Sequence, residues 1–329
     1  MIEGHGDDLY RYNNIKINFS SNIYNGTDLS ELEAYLCSRM AVVRSYPEPS
    51  AASLEQMIAS THGISPDEVM VTSGAVDAIY LIAQTFRQMG SCHIVQPTFR
   101  EYEDACRVFG YQENEDGALC WLCNPNNPTG DVLTVEEVMA LAGRHRLLIV
   151  DQSYEDYTMA PLLEPTDVVG SDNIILLHSM TKRYAVPGLR LGYVTASAKV
   201  INRLRAQYRP WAINALSLEA GKWLVSHEAV AIKDLPSYLA ETQRLRGMLN
   251  GIEGIETLDT QTNFFLCTIR QTTAAVLKEY LAREHGILIR DASNFTGLTP
   301  HHFRITTQSP HENDALVAAI RNYELLELH

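Results

Sequence analysis

The residues best suited to chemistry stand just after short apolar runs. The run IILLH at 174–178 leads into Ser179-Met180-Thr181-Lys182 and then Pro187-Gly188-Leu189-Arg190-Leu191-Gly192. A lysine with hydroxyls one and three residues before it and an arginine eight residues after it has what a Schiff-base lysine beside a bound phosphate requires. The amine can condense with a carbonyl, and the hydroxyls and guanidinium can hold phosphate oxygens. A second run, LLIVD at 147–151, ends in Asp151, with Tyr154 three residues on. The segment CNPNNPTG, from Cys123 to Gly130, follows a third run, and its prolines fix the backbone on either side of Asn126 and Asn127. The strand-like EVMVT is followed by Ser73-Gly74-Ala75-Val76 and a helical pattern, which offers free backbone N–H groups and the positive end of a dipole to a phosphate. Taken singly, Gly74 also fits a plain turn and Asp151 a helix N-cap. Together, and in this order, they point to one site.

Such residues need a scaffold that carries them to a common edge. HIVQ near 94, CWLC near 121, LLIVD, IILLH and LGYVTA at 191–196 read as buried strands, with amphipathic helices such as Ala75 to Gln88 and Thr134 to Arg144 between them. The alternation predicts an α/β fold, a mostly parallel sheet covered by helices on both faces, in which ligands bind beyond the C-terminal ends of the strands. After about residue 200 longer helical segments, Ala215 to His227 and Leu235 to Leu249, precede strand-like NFFLCTI, GILIR and HHFRIT. That texture suits a smaller α+β domain. The strand-like IKINFSSN near the start is too short to stand alone and is expected to pack on that tail. The expected division is a large domain over 30–235 and a small domain made of 1–29 with 236–329, in keeping with a length of 329 residues.

Composition narrows the partners. Hydrophobic residues make up 46% and charged residues 20%, which is ordinary for a chain that folds throughout. With 26 basic against 40 acidic residues the net charge is −14, which disfavours nucleic acid and anionic membranes, so an anionic ligand needs a local positive pocket. The opening residues lack the basic flank and apolar core of a secretory signal, and no stretch approaches the roughly 20 apolar residues of a membrane span, so a cytoplasmic location is expected. The six cysteines are scattered as reduced thiols would be. Cys120 and Cys123 form a CxxC pair on a strand, where residues three apart face opposite ways, so no metal site is expected there.

In this order the motifs resemble those of the fold-type I pyridoxal-5'-phosphate (PLP) enzymes, the aspartate aminotransferase superfamily, over essentially the whole chain. The resemblance implies a three-layer α/β/α fold and PLP as cofactor. It implies that Lys182 holds PLP as a Schiff base and that Asp151 pairs with the pyridine nitrogen and keeps it protonated. Asn127 and Tyr154 match the residues that hydrogen-bond the ring 3'-oxygen. Ser179, Thr181, Arg190 and the amides of Gly74, Ala75 and Val76 match the phosphate cup. Phe99 in PTFREY matches the aromatic that stacks on the ring, with Tyr102 as the alternative. Arg304 in HHFRIT matches the arginine that clamps the substrate carboxylate. The segment RSYPEP at 44–49 resembles the RYPEP-type segment whose tyrosine, here Tyr46, reaches the cofactor phosphate of the neighbouring subunit, which implies a homodimer.

Two kinds of relative compete within the superfamily, histidinol-phosphate aminotransferases and L-threonine-O-3-phosphate decarboxylases, and both take a small phosphorylated amino substrate. His5-Gly6 followed by Leu9-Tyr10, INFSSNI at 17–23 and GILIRDASNFTGL at 286–298 resemble the decarboxylases more. In that likeness Arg290 and Arg304 bind the substrate phosphate and carboxylate. Ser21, Asn22 and Asn127 belong to the substrate site, and His5 closes over the phosphate from the N-terminal arm. The chain departs from the pattern at Ile23-Tyr24-Asn25-Gly26, where relatives usually carry N-P-x-G, and this bears on the shape of the substrate pocket. The expected reaction is decarboxylation of L-threonine O-3-phosphate to (R)-1-amino-2-propanol O-2-phosphate, a step of the cobalamin pathway. Transamination of histidinol phosphate or a related amino acid is the alternative, and a noncatalytic PLP-fold binding protein the remote one.

Overall fold

Strands buried on both faces build the centre of the molecule. The computed structural model describes residues 8–227 and 230–327, with side chains described as far as 323. Seven strands form one sheet in the order Val69–Thr72, Gly192–Thr195, Ile174–His178, Leu147–Asp151, Leu119–Cys123, Ser91–Ile94, Gln112–Glu113. All run parallel except Gly192–Thr195, which is antiparallel to both neighbours. Every residue of the four strands from Gly192–Thr195 through Leu119–Cys123 in that order is buried, which is why they read as unbroken apolar runs rather than as alternating ones.

The two faces carry separate apolar layers. On one, Met70, Ile79, Ile82, Tyr102, Trp121, Ile149 and Leu177 pack together with the helices Ala75–Thr85 and Glu101–Val108. On the other, Leu122, Leu148, Val150 and Leu176 pack with Val138 and Ala142 of the helix Val135–Arg144. Cys123 belongs to the first layer and Cys120 to the second, so this CxxC pair is split across the sheet as its spacing requires. The Val135–Arg144 helix starts one residue later than the sequence reading because Thr134 is its N-cap. Its side chain accepts from the Glu137 amide while Glu137 accepts from the Thr134 amide. The expected helix from Ala75 to Gln88 ends at Thr85 and continues as a 3-10 turn over Arg87–Met89.

The tail forms a second, antiparallel sheet in the order Arg290–Asp291, His302–Thr306, Phe264–Ile269, Ile255–Thr257. Leu245, Leu249, Leu277, Leu316 and Ile320, from three helices, pack against Phe265, Phe303 and Ile305 of that sheet. The N-terminal segment joins this unit as expected, since Ile17–Asn18 pairs in parallel with Ile287–Leu288. GILIR is not one strand, however. Ile287–Leu288 serves that two-stranded pairing, and Arg290–Asp291 belongs to the antiparallel sheet. Among the described residues no helix is long and apolar enough to cross a membrane.

One edge of the large sheet gathers the chemistry. The parallel strands ending at Thr72, Cys123, Asp151 and His178 deliver Gly74, Asn127, Asp151 and Lys182 just beyond their C-terminal ends. The antiparallel strand Gly192–Thr195 begins at that same edge, so Arg190, two residues before it, arrives there as well.

Candidate active site

A cavity of about 390 Å³ lies at this edge. Its lining brings together Ser21, Ala75, Val76, Phe99, Asn127, Asp151, Tyr154, Ser179, Thr181, Lys182, Arg190, Arg290 and Arg304, thirteen of the residues singled out from sequence. The volume falls within the range usual for small-molecule sites.

Asp151 is the last residue of its strand and is 3% exposed. Its Oδ2 accepts from the Tyr102 hydroxyl at 2.7 Å and its Oδ1 from the Ser153 amide at 2.9 Å. Burial pushes the carboxyl up from its ordinary range, and these two donors pull it back down. Tyr102 is fully buried and stacks on Trp121, with ring centroids 5.2 Å apart and planes 10° from parallel. Tyr102 lines the cavity too, with its ring held in this stack. It lies within the helix that covers the sheet and presents its hydroxyl to Asp151, while Phe99, two residues before the helix, is left half-buried in the cavity wall.

Lys182 sits on the short helical turn Met180–Arg183, and its Nζ donates to the Ser21 carbonyl at 2.6 Å. The Tyr154 ring centroid is 5.9 Å from that nitrogen. Burial pushes the Tyr154 hydroxyl up to about 12, so it is a hydrogen-bond donor at neutral pH. The other side of Tyr154 packs edge-on against Phe264, at 4.8 Å.

The cup for an anion is built from a glycine and an arginine that need each other. Gly74 has φ of +81°, and a Cβ there would stand 2.6 Å from Nη2 of Arg190. The guanidinium thus occupies the space that a side chain would take. The Ala75–Thr85 helix starts directly after Gly74, and its first amides have no carbonyl partner within the helix. The amide of Ser73 is engaged elsewhere, by Asp77 Oδ2 at 3.0 Å and by the Tyr208 hydroxyl at 3.3 Å.

The opposite wall is cationic. Arg290 and Arg304 are direct cross-strand partners in the small sheet, which puts both side chains on one face. Like charges placed this way repel, and burial lowers the proton affinity of both guanidinium groups, that of Arg304 to about 10. Arg304 donates from Nη1 to the Asn127 side-chain oxygen and from Nη2 to the Ser20 carbonyl, while its Nε is buried without a hydrogen-bond partner. Arg290 Nη2 donates to Asn294 Oδ1 at 2.8 Å.

Four residues singled out from sequence are not part of this lining, and one is Gly74, whose amide donates to the Thr72 carbonyl at 2.8 Å rather than being free for an anion. Asn22, at φ of +54°, is not among the lining residues; its side-chain oxygen accepts from Thr306 Oγ1 at 2.6 Å, and its side chain also interacts with the Tyr154 hydroxyl in the cavity wall. Tyr46 is 86% exposed and also lies outside the lining. His5 lies outside the described residues. Conversely, the lining includes Ser20, Arg100, Glu101, Asn294 and Phe295, none of which was singled out. The last four fall within PTFREY and GILIRDASNFTGL, segments quoted for their neighbours. Ser20 acts through a backbone carbonyl, for which side-chain type gives no signal.

The cofactor that the sequence resemblance implies fits this lining. A buried carboxylate is held by two donors at the sheet edge, a lysine amine and two ring-oxygen donors stand nearby, and a glycine leaves room for an arginine at a helix start. These suit a protonated pyridine nitrogen, an aldehyde, a phenolic oxygen and a phosphate in turn.

Known proteins agree with the geometry. The solved structure of L-threonine-O-3-phosphate decarboxylase from Porphyromonas gingivalis superposes with a TM-score of 0.89, at 37% identity, over 93% of this chain and 99% of that one. Histidinol-phosphate aminotransferase from Caldanaerobacter subterraneus subsp. tengcongensis is 29% identical over 85% of this chain and 84% of its own length. The fold is also that of histidinol-phosphate aminotransferase from Sinorhizobium meliloti, solved in complex with pyridoxal-5'-phosphate, with a TM-score of 0.82 at 18% identity over 94% of this chain and 90% of that one. The pattern of the aminotransferase class I and II family matches residues 14–113 and 110–320. With most of its length matched and a cavity built from the expected residues, the chain belongs to the aminotransferase class I and II family, an enzyme family of fold-type I whose cofactor is PLP.

Proposed function

We propose that the protein decarboxylates O-phospho-L-threonine to (R)-1-amino-2-propanol O-2-phosphate, as a step toward cobalamin. The observation that carries this reading is the buried cross-strand pair of Arg290 and Arg304, two cations in the wall of the cavity that contains Lys182 and Asp151. An amino acid bearing a carboxylate and a phosphate has two anionic groups to match them. The solved decarboxylase at 37% identity supports the same choice.

When bound, PLP supplies an electron sink for the pair left at Cα when a substituent departs. Asp151 holds the proton on the ring nitrogen, and Asn127 and Tyr154 hold the ring oxygen. Ser179, Thr181, Arg190 and the amides of Ala75 and Val76 hold the cofactor phosphate. Lys182 would tether the cofactor through its amine, and that amine, placed in the cavity wall, would be positioned to carry a proton to the substrate Cα. Arg304 presents a fork that suits a carboxylate bidentately, and Arg290 with Asn294 receives the substrate phosphate. By fixing two groups of the substrate at once, the pair would set the orientation of the bonds at Cα, and that orientation would select the reaction.

Transamination is the second reading, favoured by the likeness to histidinol-phosphate aminotransferase. The two separate on one assay. Given O-phospho-L-threonine, the purified enzyme should release CO2 and 1-amino-2-propanol phosphate. Pyridoxamine phosphate and a keto acid formed without CO2 would overturn the decarboxylase reading.

Three further points belong to this proposal. The protein works as a homodimer in which Tyr46 reaches the neighbouring cofactor phosphate, which accounts for a tyrosine so exposed in the single chain. The chain divides into a large domain over 30–235 and a small one made of 1–29 with 236–329, in line with separate apolar clusters about each sheet. Residence in the cytoplasm accords with six cysteines that are all free.

A further inference from the structure

Arg100 lines the same cavity as Arg290 and Arg304 but comes from the large-sheet side, as the residue before the Glu101–Val108 helix. Its side chain is 41% exposed, so it stands toward the mouth of the cavity while the other two arginines are buried. Its Nε is buried and has no hydrogen-bond partner. The facing oxygen, Asp104 Oδ2, is 3.8 Å away, beyond hydrogen-bond reach, and Asp104 is engaged through its other oxygen by Arg107 at 2.5 Å. Arg100 is therefore held beside a carboxylate without being satisfied by it.

The loop after Arg290 is fastened to the same turn of helix. Thr296 Oγ1 donates to Glu103 Oε1 at 2.6 Å, and that oxygen also accepts from Gln96 Nε2 at 2.5 Å. Asn294, on this loop, accepts from Arg290. A short chain of contacts thus fixes the small-sheet arginine relative to the helix that Arg100 precedes.

We propose that Arg100 is a specificity-determining residue, a third cation that holds the substrate phosphate at the mouth of the cavity. The proposal rests on the reading that the cavity takes a phosphorylated amino acid. Charge balance motivates it. A phosphate monoester carries about −1.5 to −2 at neutral pH and the carboxylate one more, so Arg290 and Arg304 alone do not match the charge of these two anionic groups, in a chain of net charge −14. A half-exposed guanidinium at the mouth supplies the missing charge and draws the anion in from solvent.

The test uses the PLP-loaded protein, with inorganic phosphate as the probe by calorimetry and O-phospho-L-threonine as the substrate. Arg100→Met, which keeps most of the aliphatic stem, should weaken phosphate binding about tenfold and raise KM for O-phospho-L-threonine by a similar factor, with kcat changed by less than about twofold. Binding of threonine itself should be unaltered, and Asp104→Asn should leave phosphate affinity near that of the parent protein. Unchanged phosphate affinity in Arg100→Met overturns the proposal. An equal loss in Arg100→Met and Asp104→Asn also overturns it, because Arg100 would then act only as the partner of Asp104. Should the methionine variant unfold, Arg100→Lys keeps the charge without the fork and should give an intermediate phosphate affinity, whereas affinity equal to the parent's would count against a guanidinium contact. Failure of the decarboxylase reading has a separate signature, phosphate binding that still depends on Arg100 in a protein that releases no CO2.

Discussion

Asp151 is pulled two ways at the sheet edge. Burial drives its carboxyl toward the neutral form, while the proposed role needs it ionised against a ring nitrogen. The Tyr102 hydroxyl, at 2.7 Å, is one of two donors that favour the ionised form. Tyr102→Phe should therefore raise the Asp151 pKa further, so ionisation is lost at a higher pH than in the parent. The acid limb of PLP binding, followed by cofactor absorbance against pH, should move upward by about one unit, the worth of one such bond. An unmoved limb in a folded variant would argue against Asp151 as the partner of the ring. Sequence made Asp151, Lys182 and Asn127 legible because each follows directly on an apolar run. It favoured Phe99 over Tyr102 only through the family likeness, since two aromatics three residues apart in PTFREY differ in where the helix begins, and Tyr102 lies within the helix that starts at Glu101, its ring stacked on Trp121.

Among the elements, the turn between Val69–Thr72 and the Ala75–Thr85 helix places an arginine by leaving out a side chain. Gly74 holds φ at +81°, a conformation costly for residues with a Cβ, and its missing Cβ is where Arg190 Nη2 lies. Gly74→Ala should cost about 1–3 kcal/mol in stability from backbone strain and should also displace Arg190, so thermal unfolding and PLP dissociation should both worsen. Arg190→Ala, which frees that space, should weaken PLP binding with much less effect on unfolding. A Gly74→Ala protein that binds PLP as the parent does would remove Arg190 from the phosphate cup. Elements of this kind were readable as strand, turn and helix in order. That Arg290 and Arg304 stand together was expected through the family likeness, but their cross-strand register was not readable, because it depends on two short strands, one of which is half of a run that divides between two sheets at Ile289. Local patterning carries no record of which partner strand each half will find.

On the scale of the whole molecule, the exposed RSYPEP segment is left to explain. Tyr46 is 86% exposed and rests against Trp211 with ring centroids 5.4 Å apart, while the Trp211 amide donates to the Pro49 carbonyl at 2.8 Å and so fixes the two segments together. Met40 and Val43 nearby in sequence are about half exposed as well. An ordered apolar surface of this kind fits a contact with a second copy, which is where the proposed dimer puts Tyr46. The two possible arrangements of the site differ in a mixing experiment. Lys182→Ala alone should be inactive, and Tyr46→Ala alone should hold PLP weakly at low activity. If Tyr46 serves the neighbour, a hybrid dimer of the two variants contains one site with both lesions and one with none. Coexpression of the two chains should then restore roughly a quarter of parental activity, since about half of randomly formed dimers are hybrids and each has one intact site. If Tyr46 instead served its own chain, every site in the hybrid would carry one lesion, and the mixture would show only about half the low activity of the Tyr46→Ala protein alone, since half of all sites would be Tyr46→Ala sites.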